Sequence, residues 1–103
     1  MSLKDTLLTA RLDRADVPID GVGKVTVRAL TRQEMINLGG TDDQLKFERK
    51  LLSIALVSPM LTEEEVGVWQ KNSPANEISA VTMKVNELSG IGKEAEREAY
   101  KSV

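Results

Sequence analysis

The sequence predicts a mainly α fold, a small multi-helix domain carrying an N-terminal β-hairpin, and three observations lead there. The spacing Thr-x-x-Gln/Glu occurs at Thr31 with Glu34, Thr41 with Gln44 and Thr62 with Glu65. In that spacing a hydroxyl caps one free amide of a helix start and the later side chain reaches back to another. After these starts the apolar residues recur every three or four positions, the period of a helix face. Only the valine-rich stretch around Asp20 and Gly21 alternates with the period of two that a strand requires.

In chain order, Ser2 is an N-cap with Asp5 three residues on, and Leu3 and Leu7 share a face, which predicts a short helix over residues 2–11. Val17 and Ile19, then Val22, Val25 and Val27, form two alternating runs about a glycine turn, a hairpin spanning about residues 13–29. Pro18 lacks an amide proton and restricts its strand to a sheet edge. A helix over residues 32–38 follows, stopped by Gly39 and Gly40.

Residues 42–57 form the expected central helix. Phe47, Leu51, Ile54 and Ala55 take one face, Leu45, Leu52 and Leu56 an adjacent one, and Lys46, Arg49, Lys50 and Ser53 the wet side. Pro59 ends it. A short helix over residues 63–71 presents Val66 and Trp69 as an i, i+3 pair. Ser73 as cap and Pro74 at the first helical position open a last strong helix, with Ile78, Val81, Val85 and Leu88 on one face and Gly90 as its stop. Residues 1–90 thus read as a single helical domain, and residues 91–103, rich in Glu and Lys, as a polar C-terminal helix or mobile tail.

The 103 residues suit one domain with a modest core. With 14 basic and 16 acidic side chains the formal charge is -2, so there is no broad positive field for nucleic acid or a membrane surface, and neither is expected as a partner. The start of the chain lacks the pattern of a secretion signal, and no run approaches the roughly 18 apolar residues of a span. A soluble cytosolic protein is expected.

Catalysis is not expected. The chain has no histidine and no cysteine, which removes the commonest general base, the commonest transition-metal ligand and the thiol nucleophile together. Glu63, Glu64 and Glu65 are explained as acids at the positive end of a helix dipole. Gly21, Gly23, Gly39 and Gly40 fit no phosphate-binding loop, and Asp42 with Asp43 lacks the other oxygen ligands of a calcium loop. The two acids also oppose a helix-turn-helix reading, because they would lead that helix towards phosphates. No cofactor or metal is expected.

What remains is surface for a protein partner. Trp69, the only tryptophan, is either a core plug or an interface anchor, and the low aromatic content argues for the core. Met83 lies opposite the stripe of Ile78, Val81, Val85 and Leu88, so it faces outward. Val66, Trp69 and Met83 are the candidate partner-binding residues.

Several ordered segments resemble one family. They are Val25-Thr-Val-Arg-Ala-Leu-Thr-Arg-Gln-Glu34, Leu51-Leu-Ser-Ile-Ala-Leu-Val-Ser-Pro59, Leu61-Thr-Glu-Glu-Glu-Val66, Trp69-Gln, Ser73-Pro-Ala and Asn86-Glu-Leu-Ser-Gly90. Together, from about Val17 to Gly90, they look like a tail assembly chaperone of long-tailed bacteriophages, in the short form that precedes a frameshift. The resemblance implies binding to the tape-measure protein, which is kept soluble until the tail tube polymerises around it. It also implies contact with the tail tube protein through a frameshifted long form, a possible homo-oligomer, and a place in the host cytoplasm rather than in the mature virion. The competing expectations are a structural tail completion component of the virion and a small DNA-binding regulator.

Overall fold

A computed structural model describes residues 2–90. The expected helix or tail over residues 91–103 lies outside them. The elements run α1 (Leu3–Leu8), β1 (Arg14–Ile19), β2 (Gly23–Arg28), α2 (Arg32–Leu38), α3 (Gln44–Ala55), β3 (Leu56–Ser58), α4 (Glu63–Asn72) and α5 (Ala75–Leu88).

The hairpin forms as the alternation predicts. β1 and β2 pair antiparallel with Val17 opposite Val25, and Gly21 and Gly23 take positive φ at the turn. There a side chain would be strained. Val17, Ile19, Val25 and Val27 point into the core, while on the outer face the Thr26 hydroxyl donates to Asp16 Oδ1 at 2.7 Å. Val22 differs from its expected place in the alternating run: it sits in the turn, 71% exposed. Pro18 lies on β1, an edge of the sheet, where a missing donor breaks no ladder.

The fold class is corrected by the third strand. β3 pairs antiparallel with β2 across a bulge at Thr26 and Val27, giving a three-stranded sheet in the order β1-β2-β3. The domain is therefore α+β, 55% helical with an antiparallel sheet at its base, and not mainly α. The expected helix over 42–57 stops at Ala55, and its last apolar residues become strand. Leu56 is buried in the strand, as the helical stripe also expected of it, so both patterns direct the same side chain inward. The available edge of β2 decides between them.

Helix α5 lies across β1 and β2, burying Ile78, Val81 and Val85, and α3 packs against α2, α4 and α5. The deepest side chains are Val27, Leu51, Leu52, Val66, Val81 and Val85. Two long-range ties fix the frame. The Leu30 amide donates to Ser89 Oγ at 2.8 Å, joining the exit of β2 to the end of α5. Arg28 donates twice to the Glu34 carboxylate, at 2.9 and 2.8 Å, joining β2 to α2.

Two of the three expected capping boxes form, at Thr31 and Thr62. The third does not: Asp43, not Thr41, caps α3, its carboxylate accepting from the amides of Leu45 and Lys46. Nor does Ser73 cap α5. Its hydroxyl donates back to the Trp69 carbonyl at 2.7 Å and closes α4, leaving Pro74 as the residue before α5. A paired substitution tests this assignment. Thr62→Ala should lower stability by about 1 kcal/mol, and Thr41→Ala by less than about 0.5 kcal/mol, in urea denaturation. Equal losses at both positions would contradict it.

Candidate functional site

The hairpin tip, the loop after β3 and the junction of α4 with α5 enclose an open apolar groove of about 360 Å³. Its floor is the end of the sheet, with Ile19 from β1, Val25 from β2 and Leu56 from β3. Alternation along each strand sends these side chains to one face, and they meet here because the strands are paired in register. Pro59 and Leu61, in the loop that follows β3, form one wall. Trp69 near the end of α4 and Pro74 and Glu77 at the start of α5 form the other. Val22 makes an exposed lip at the hairpin tip.

Trp69 is held in place by chemistry as well as packing. Its indole Nε1–H donates to Glu77 Oε2 at 2.6 Å, so a half-buried ring has its one polar group satisfied by a carboxylate. The ring leans on the core and also lines the groove, so both readings of this tryptophan describe part of its surface. An aromatic side chain fixed in an apolar hollow beside one polar group is a common arrangement at protein-binding surfaces.

The three residues nominated from the sequence are not brought together. Val66 is fully buried among the core side chains and has no face to offer a partner, so its nomination is corrected. Met83 is 66% exposed on α5, as the helical wheel requires, but it does not line the groove. Only Trp69 does. Missed were Ile19 and Val25, which the strand pattern marks as core, Leu56, which the helical stripe marks as core, Val22, which the alternating run includes, and Pro59 and Leu61, which lie beyond the expected central helix. An apolar turn residue such as Val22 is a weak signal by itself, since isolated apolar side chains are normal on surfaces.

A further surprise lies between α3 and α4. Arg49, assigned to the wet side of α3, instead reaches α4, where Nη1 donates to Gln70 Oε1 at 3.3 Å. The Gln70 amide in turn donates to Glu48 Oε1 at 2.9 Å and to the Leu45 carbonyl at 3.1 Å. This network clamps the two helices through a neutral amide set between a guanidinium and a carboxylate. Leu45, expected on an apolar stripe, is 58% exposed.

Among the described residues no group of three or more acidic side chains converges in a way that could hold a metal ion. No helix among them is long and apolar enough to cross a membrane. What the groove offers chemically is mainly apolar burial, with the Trp69 indole, the Glu77 carboxylate, the Asn72 amide and the Ser73 hydroxyl on its wall. Set against known protein families, curated proteins and solved structures, the chain matches none.

Proposed function

We propose that the protein is a non-enzymatic docking domain that takes an amphipathic helix of another protein into the groove beside Trp69. The observation that carries this reading is the groove itself: an apolar floor of Ile19, Val25 and Leu56 flanked by a fixed indole and open to solvent. Helices lay an apolar face into grooves of this kind through side chains spaced three and four apart. The resemblance of the segments from Val17 to Gly90 to tail assembly chaperones names the client: the tape-measure protein of a long-tailed phage, bound in the host cytoplasm and absent from the finished particle. A frameshifted long form of the chain would then bring in the tail tube protein.

Co-expression with the tape-measure protein from the same genome should give a soluble complex that copurifies with this chain. Val22→Glu places a charge on the exposed lip and should weaken capture about tenfold or more, a loss of roughly 1.4 kcal/mol for each factor of ten. Met83→Glu, on the outer face of α5, should leave capture unchanged. An insoluble, unbound tape-measure protein would refute the client, and a loss confined to Met83→Glu would move the docking face to α5.

A further inference from the structure

Helix α1 has no buried residue, and Leu3, Leu7 and Leu8 are 86%, 64% and 73% exposed. Six residues are too few for a helix to hold its shape in water by backbone hydrogen bonding alone. An apolar helix of this length therefore requires a surface to lie on. At about 100° per residue, Leu7, Lys4 and Leu8 fall roughly 40°, 100° and 140° round from Leu3. Lys4 thus sits within the leucine arc, and Asp5 lies outside it.

The groove has the complementary character. Glu77 lines it, Asp20 and Glu77 line the hollow that adjoins it past Ile19 and Pro74, and no Lys or Arg lines either. Leucines with a lysine among them match an apolar floor with acids at its margin.

We infer that α1 of one copy docks through Leu3, Leu7 and Leu8 into the groove of a second copy, with Lys4 directed to Glu77 and Asp20. The chain's own α1 does not occupy the groove. The groove lies at the Ile19 end of β1, about 17 Å from Arg14 at the rise of a strand. In the structure the chain's own α1 leaves Leu3, Leu7 and Leu8 exposed, and none of them lines the groove. A reciprocal pair of copies fills both grooves. This inference uses the chain alone and does not depend on the identity of any client. A client helix would compete with α1 for the same floor.

Sedimentation equilibrium of the purified chain, without any client, tests it. The wild-type protein should associate with rising concentration. Leu7→Glu, which spoils the helix, and Val22→Glu, which spoils the groove, should each sediment as monomers at concentrations where the wild type is paired. Both positions are exposed, so each variant should keep the wild-type circular dichroism spectrum and unfolding midpoint. Mixing the two variants should restore association, because one supplies an intact groove and the other an intact helix. A wild-type chain that stays monomeric to millimolar concentration overturns the inference. So do variants that still pair, or a mixture that fails to associate. None of these results bears on whether a tape-measure protein is captured.

Discussion

Leu52→Ala is expected to lower the unfolding free energy by about 2–5 kcal/mol, the range for removing a buried leucine and leaving a cavity behind. A domain of this size commonly has about 5–15 kcal/mol in total, so the variant should lose much of its margin. Leu52 has no exposed surface and sits with Leu51 and Ala55 on the inner side of α3. The neighbouring structure is clamped on several sides, by the sheet, by α5 and by the α3–α4 network, which restricts collapse into the void. Leu45→Ala on the same helix should cost less than about 0.5 kcal/mol, because that side chain is already in water. Guanidinium denaturation of both variants decides the matter. Similar losses at the two positions would mean that α3 is rotated from its described orientation.

The second large effect centres on Glu34. Its carboxyl is held at about 2, against an ordinary value of 4.5, chiefly by the paired hydrogen bonds from Arg28 and further by the Thr31 amide, with partial burial acting in the opposite direction. The same contacts raise Arg28. Because the folded value lies below the unfolded one, the ionised carboxylate stabilises the fold fully above the unfolded value. That contribution is lost as the pH falls from about 4.5 towards 2. Glu34→Ala removes the ion pair and half of a capping box, and should cost about 1.5–3 kcal/mol at neutral pH. Glu34→Gln preserves an acceptor for the Thr31 amide and should cost less. It should also flatten the acid limb of the stability profile, measured as unfolding midpoint between pH 5 and pH 2. An unchanged acid limb in Glu34→Gln would show that other carboxylates carry it.

The candidate site was legible only in fragments. Trp69 stood out because tryptophan is large and there is one of it. Its helix was marked by the box at Thr62 and Glu65, both of whose hydrogen bonds form. Val66 failed as a contact residue because a period of three places it on the same side of α4 as Trp69 without saying which lies deeper. Depth depends on what packs opposite, and that comes from α3, a separate helix beyond the reach of spacings within α4. The groove joins Ile19, Val25, Leu56, Leu61 and Glu77, which are spread over most of the described chain. No local spacing reports such a meeting.

The sequence by itself determined the features whose causes lie within a few residues. These are the caps at Ser2, Thr31 and Thr62, the glycine turn of the hairpin, the inward valines, the outward Met83 and the glycine stop at Gly90. Each is set by backbone conformation or by a hydrogen bond spanning three or four positions. Tertiary structure decided what depends on distant partners. Leu56 to Ser58 satisfy either a helical or a strand pattern, and become β3 because β2 has donors and acceptors open on that edge. Arg49 is drawn from solvent because Gln70 stands across from it. The cap of α3 is a local contest instead, in which Asp43 displaces Thr41 because its carboxylate takes two amides at once. For β3 and Arg49 the local pattern left the outcome open, and a contact from elsewhere in the chain chose it.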